Sequence, residues 1–227
     1  SQIKFECQIS GFPKPILKWF RNETDSLEKS DRIKLENKLD NYFLSIKDCS
    51  LKDQGIYIAQ AENSVGTVSS RIFLDINQIP VIVKSLSNVE IFFEENLNQE
   101  FICSFKSKPK ADVCWFLNDQ IITSDKDDHF TIKDEINKEN DDEETYISKF
   151  YIKNVTLNDS GSVKCKIRNI AGEILSNCTL SVLKMPIIIM SLPETLDVIE
   201  KKELKLECKL TDSVPKAQIS WYKDNIL

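Results

Sequence analysis

Short runs in which apolar and polar residues alternate recur along the whole chain. Ile3, Phe5, Cys7 and Ile9 alternate with Lys4, Glu6 and Gln8, and Leu204, Leu206, Cys208 and Leu210 alternate with Lys205, Glu207 and Lys209. A period of two with one apolar face predicts strands that lie on a core with one side and meet water with the other. The pairs Leu17 and Trp19, Val113 and Trp115, and Ile219 and Trp221 follow the same rule, as do Leu44 with Ile46 and Phe150 with Ile152. No stretch sustains a helical period. The predicted class is all-β.

The runs are copies of one another. Cys7, Pro13-Lys14 and Trp19 return as Cys103, Pro109-Lys110 and Trp115, and again as Cys208, Pro215-Lys216 and Trp221. The first two copies stand 96 residues apart at Cys and Trp, whereas Asp53-Gln54-Gly55 and Asp159-Ser160-Gly161 stand 106 apart. The second copy therefore holds ten additional residues between its Trp strand and its Asp-x-Gly turn. The spacing predicts tandem units near 100 residues long. The expected units are 1–76, lacking its leading strands; 79–184, complete and carrying an acidic insertion over 134–144; and 187–227, the first part of a third. The joints at Ile79-Pro80 and at Leu183-Lys184-Met185-Pro186 contain no Gly or Ser, which predicts semi-stiff links. The chain lacks an initiating Met, a signal peptide and an apolar run of membrane-spanning length, so it reads as a piece of a longer polypeptide. The last forty or so residues are too few to bury a core alone.

A Cys followed 12 or 13 residues later by Trp, then Leu44, Ile46, Asp53, Gly55, Tyr57, Ala61, Asn63 and Gly66, resembles the I-set immunoglobulin pattern, L-x-I followed by D-x-G-x-Y-x-C-x-A-x-N-x-x-G. The resemblance implies tandem immunoglobulin-like β-sandwiches, the first and last truncated, with Cys7, Trp19, Asp53, Gly55, Tyr57, Trp115, Asp159, Gly161, Cys208 and Trp221 as core or corner residues. It also implies a bridge between Cys103 and Cys165 if the protein is oxidised. Two positions depart from the family. Ala59 stands where the first unit's second Cys belongs, and Val163 replaces the tyrosine whose hydroxyl ties the corner to backbone. Giant muscle scaffolds and adhesion ectodomains share this pattern.

Seven cysteines are an odd number. Cys7 faces Ala59, Cys49 takes the place of Val155, Cys114 points away from the core, and Cys178 shares parity with Leu180 and Val182. Loss of a native disulfide costs a small secreted domain about 2–5 kcal/mol. In a reducing compartment the bridge would not persist in any case, so the cysteines favour that compartment. Sequons at Asn22, Asn154, Asn158 and Asn177 oppose this reading, but 16 Asn make roughly one to three such triplets ordinary.

Candidate chemistry is sparse. His129 is the only histidine, no Cys pair has metal-ligand spacing, and no glycine is left over for a phosphate-cradling loop. No catalytic residue, metal or cofactor is expected. His129 falls near the slot that Arg32 fills in the first unit. The sequence favours an exposed loop histidine over a pH-sensitive contact with Asp159. Between residues 134 and 144 lie Asp134, Glu135, Glu139, Asp141, Asp142, Glu143 and Glu144 against Lys138 alone. This excess equals the whole chain's net charge of −6. The tract is expected to form a solvated, mobile loop, with docking of a basic partner as its functional alternative. Neither it nor the acidic balance suits nucleic acid.

The expected role is a non-catalytic interaction module of a large intracellular scaffold, sarcomeric or cytoskeletal. Its partners would be other proteins, including neighbouring immunoglobulin domains, with no small-molecule substrate and no membrane contact from this segment. A cell-surface adhesion or receptor ectodomain is the alternative. A third reading is an accessory region of a giant muscle protein kinase.

Overall fold

The computed structural model describes residues 2–123, 129–140 and 143–223; the side chains at 138–140 and 143 lie outside the described residues. The chain divides into two compact units, 1–78 and 79–227.

In the first unit the strands are β1 (Gln2–Gln8), β2 (Ile16–Arg21), β3 (Asp25–Ser26), β4 (Ile33–Lys38), β5 (Asn41–Lys47), β6 (Gly55–Asn63) and β7 (Gly66–Leu74). They form two antiparallel sheets, ordered β1-β5-β4 and β3-β2-β6-β7. Alternation decides which side chains enter the space between them. Phe5 and Cys7 of β1, Leu17 and Trp19 of β2, Leu44 and Ile46 of β5, and Tyr57 and Ala59 of β6 make one cluster. Trp19 lies opposite Ala59 in the ladder. Phe5 stacks on Tyr57 with ring centroids 5.0 Å apart.

The second unit opens with β8 (Gln78–Lys84) and β9 (Val89–Phe92). It continues through β10 (Gln99–Lys108), β11 (Asp112–Leu117), β12 (Gln120–Ile122), β13 (Phe130–Asn140) and β14 (Glu143–Ile152), and closes with β15 (Gly161–Asn169) and β16 (Gly172–Leu183). Its sheets are ordered β13-β14-β10-β8 and β12-β11-β15-β16-β9, with β9 parallel to β16. Trp115, Cys103, Cys165, Phe150, Ile152, Val163 and Ile167 are fully buried between the sheets. Val89 and Ile91 of β9 cover this core at one end. The first unit has no described counterpart of β8 and β9, and Ile72, at the place of buried Cys178, is 52% exposed.

The two halves of the sequence pattern are bonded to each other. The X-Pro peptides at Pro13, Pro109 and Pro215 are all cis. The carbonyl of Pro13 accepts a hydrogen bond from Asn63 Nδ2 at 2.9 Å, and that of Pro109 accepts one from Asn169 Nδ2 at 3.2 Å. The same asparagines accept the amides that shape the following turn, Val65 and Gly66 in one unit and Ala171 and Gly172 in the other. One amide side chain thus completes two loops that are far apart in sequence.

The third copy of the phrase does not close into a sandwich, in keeping with a segment expected to be too short to bury a core alone. After β16 only β17 (Ile188–Met190) and β18 (Lys209–Leu210) form, and Lys184 bridges Val214. Trp221, expected in a core, is 49% exposed, and Cys208 is only partly covered. Among the described residues no second sheet closes over them, so the apolar phrase has nothing to pack against.

Trp115 is the side chain on which both sheets of the second unit converge. Its ring lies 5.5 Å from Phe150, and its Nε1–H donates to Ser148 Oγ at 2.9 Å. Ser148→Ala leaves that indole N–H buried without an acceptor. The change should destabilise the second unit by about 1–3 kcal/mol, read as a lower urea midpoint at unchanged slope.

Candidate functional site

The most densely bonded polar group in each unit is the Asp of the Asp-x-Gly turn. In the first unit Leu51–Asp53 form a single 3-10 turn, and Asp53 reaches back to its start. Its carboxylate accepts from the Ser50 amide at 2.9 Å, the Ser50 hydroxyl at 3.2 Å and the Arg32 guanidinium at 2.6 Å. Its backbone carbonyl accepts the Tyr57 hydroxyl at 2.8 Å. Burial opposes ionisation of Asp53, but the Ser50 amide, the Arg32 guanidinium and the Ser50 hydroxyl outweigh it, and together they hold the carboxyl below the usual range. The Asp53 carboxylate in turn raises Arg32, first through the hydrogen bond and then through charge.

The second unit repeats the turn with different partners. Asp159 accepts from the Thr156 amide at 2.7 Å and the Thr156 hydroxyl at 2.8 Å. In place of the guanidinium stands His129, whose Nε2 lies 3.2 Å from Asp159 Oδ1 and whose Nδ1 lies 2.6 Å from the Lys153 carbonyl. The expectation of an exposed loop histidine is corrected. The side chain is 29% exposed, and its ring rests 4.4 Å from Phe130. The two ring nitrogens thus tie the start of β13 to the Lys153 carbonyl on one side and to the Asp159 carboxylate on the other. The tyrosine hydroxyl of the first unit's corner has no equivalent here, because Val163 occupies the place of Tyr57 and is itself fully buried.

The acidic tract is also corrected. Over its described residues it forms paired strand rather than loop: Asp134 and Glu135 lie on β13 and Glu144 lies on β14, and the two strands pair antiparallel with a register shift between Lys138 and Asn140. The alternation of Ile132 and Ile136 facing Phe150 and Tyr146 carries the pairing outward past the core. Charges stay on its surface, where Lys149 bonds Glu135 at 2.8 Å. The Tyr146 hydroxyl donates to Glu144 at 2.8 Å. Asp141 and Asp142, and the side chains of Glu139 and Glu143, lie outside the described residues.

Cysteine chemistry is muted. Cys103 and Cys165 lie together in the core, where the hydrogen bond that Cys165 donates to Cys103, together with burial, pushes the Cys165 thiol far up, while the same bond lowers Cys103. Burial alone pushes Cys178 up to about 11 and also raises Cys7. Raised, buried thiols make poor nucleophiles at neutral pH. Among the described residues no group of three or more His, Cys, Asp or Glu is gathered for a metal.

A second pair of polar residues was missed in the sequence. Asn22 and Asn118 stand at equivalent places after β2 and β11, both with positive φ. Their Oδ1 atoms accept the Ile56 amide at 3.2 Å and the Ser162 amide at 3.0 Å. Gly55 and Gly161, at φ +151° and +147°, have no Cβ, and each Asn Oδ1 fills the space where one would project. A shared Asn directly after the strand and 33 or 43 residues before the Asp-x-Gly glycine was the available signal.

Two facing sheets, an inter-sheet tryptophan and the capped Asp turn define tandem immunoglobulin-like sandwiches. The chain belongs to the immunoglobulin I-set domain family, which matches residues 1–76 and 80–182. It is 27% identical over 226 residues to Muscle M-line assembly protein unc-89 of Caenorhabditis elegans, covering 99% of this chain and 3% of that protein. It is also 27% identical over 226 residues to Hemicentin-1 of Homo sapiens, covering 98% of this chain and 4% of that protein. Among solved structures, the I-band fragment I67-I69 from titin matches with a TM-score of 0.68 at 20% identity, covering 99% of this chain and 74% of that one; this likeness shows the fold alone. The relatives include muscle proteins and extracellular or cell-surface proteins. Domains of this family are in general non-catalytic.

The depressed carboxyl of Asp53 sets the direction of a pH effect. A group lowered on folding adds stability above its unfolded value, about 3.8, that is lost as pH falls through the folded value. Asp53→Asn should cost the first unit about 0.5–2 kcal/mol at neutral pH and flatten its acid limb below about pH 4, measured by denaturant unfolding across pH.

Proposed function

We infer that this chain is a non-catalytic spacing and interaction module of a large intracellular scaffold, sarcomeric or cytoskeletal in kind. Its proposed repeats are 1–76, 79–184 and 187–227. The observation that carries the reading is the core of the first unit. Cys7 has Ala59 across the sandwich, and the space is filled by Trp19, Phe5 and Tyr57 without a sulfur bridge. A unit built to close its core this way keeps its stability where thiols stay reduced. Identity to a muscle M-line assembly protein supports the same reading.

In this role the sandwiches set distance and bear load, which the parallel pairing of β9 with β16 resists in shear. Partners, whether sarcomeric or cytoskeletal proteins or neighbouring immunoglobulin domains, dock on sheet edges and exposed faces. Strand addition supplies affinity there from unpaired backbone groups. The exposed face of β2, β6 and β7 in the first unit and the acidic hairpin of the second are the proposed surfaces. On the former, Ile16, Lys18, Phe20, Gln60 and Glu62 line a shallow concavity.

A cell-surface adhesion role is the second reading, favoured by the four sequons and by identity to Hemicentin-1. Asn177 makes the decisive site, because it is exposed on β16. Asn22 is less informative, since its Oδ1 is engaged by the Ile56 amide. Mass spectrometry of protein from its native source, with and without reductant, should find Cys103 and Cys165 as free thiols and no glycan on any of the four asparagines. A glycan on Asn177, or a Cys103–Cys165 bridge, would overturn the intracellular reading.

A further inference from the structure

The water side of the sheet formed by β13, β14 and β10 holds a concavity of about 530 Å³, with Thr131, Lys133, Tyr151 and Glu100 in its wall. The ladder places Tyr151 between Thr131 and Glu100, and two residues along it places Lys133 opposite Lys149. Like charges set directly opposite one another destabilise a sheet. The neighbouring carboxylates are already engaged. Glu135 bonds Lys149 at 2.8 Å, and Glu100 accepts the Tyr151 hydroxyl, which raises Tyr151. Lys133 instead lies over the Tyr151 ring, with Nζ 5.6 Å from the centroid. Among the described residues no carboxylate forms an ion pair with it.

In the first unit the same face carries a carboxylate of its own. Glu36 lies opposite Phe43, and Lys133 lies opposite Lys149. Phe43 and Lys149 stand 106 residues apart, the spacing of the two Asp-x-Gly turns, so Glu36 and Lys133 hold equivalent places. Lys34 bonds Glu36 at 2.6 Å. This bond, opposed by burial and aided by the charges of Lys38 and Lys4, holds the Glu36 carboxyl below the usual range. Lys4 also lies over the Phe43 ring at 3.9 Å. The face therefore accommodates a carboxylate among lysines beside a ring. The second unit keeps the lysines and a ring, but Lys133 stands where the carboxylate would be.

We propose that this concavity receives the carboxylate of an acidic partner segment, paired with Lys133 and laying its stem on the Tyr151 ring. The Thr131 hydroxyl offers a further donor. One such cation matches the single charge of a carboxylate rather than the nearly double charge of a phosphate. The pairing rests on the reading of this chain as an interaction module, and it gives that module a partner of defined charge.

Titration of the full chain with a blocked hexaglutamate peptide should shift the amide NMR signals of Thr131, Lys133 and Tyr151 saturably, and hexaglutamine should not. Lys133→Glu installs the first unit's own carboxylate and relieves the like-charge rung, so the sheet stays folded. It should weaken peptide binding roughly five- to tenfold. Lys47→Glu, the same charge change on the first unit, should leave binding unaltered. Absence of a saturable shift, shifts confined to other faces, or an equal loss with Lys47→Glu would overturn the proposal. So would tighter binding of a hexaglutamine peptide bearing one phosphoserine. The intracellular reading stands or falls separately, on the Cys103 and Cys165 thiols and the four asparagines.

Discussion

A carboxylate removed from water must be given donors, and this requirement organises each sandwich. Asp53 and Asp159 are almost fully buried at the turn where the chain crosses from one sheet to the other. Their oxygens collect a backbone amide, a hydroxyl and a ring or guanidinium nitrogen from two separate segments. Each donor fixes the segment that carries it: the entry to the 3-10 turn, and the start of the strand that bears Arg32 or His129. An unpaired charge in that position would cost several kcal/mol, so the connections around it have little freedom.

Around that common turn the two units distribute their remaining stabilisation differently. The first ties its corner with the Tyr57 hydroxyl and fills its core with aromatic rings, leaving Cys7 without a thiol across from it. The second gives up the hydroxyl, places Val163 in the gap, and sets two thiols face to face beneath Trp115. Its indole is satisfied by Ser148, whereas the first unit has Tyr42 at that position. The sandwich tolerates either arrangement because both fill the same space between sheets.

The sequence was most legible where one residue type serves one structural purpose. The Cys-to-Trp spacing, the alternation through Leu44 and Ile46, and Asp-x-Gly located the sheets and the corners. It was least legible where partners meet only after folding. The contact of His129 with Asp159 is legible only through the slot of Arg32 in the first unit and ranks second there, because it depends on β13 beginning beside a turn thirty residues later. The acidic tract read as loop because charge runs usually are. The register that sets Lys149 beside Glu135, and Ile136 beside Tyr146, turned it into paired strand. At Trp221 the length of the segment outweighs the motif: its phrase is intact, but a core needs a second sheet that the phrase does not contain.

The fit of Asn22 against Gly55, and of Asn118 against Gly161, bears on how such repeats can diverge. A side chain at either glycine would evict the asparagine, and loss of the asparagine would strand an amide of the facing strand. Neither member can drift alone without passing through a damaged fold. The corner hydroxyl and the inter-sheet thiols, by contrast, can be lost one at a time, and each unit here has lost one of them. Sequence change in this array therefore has free directions and locked ones, and the locked ones are set by a few ångströms of missing side chain.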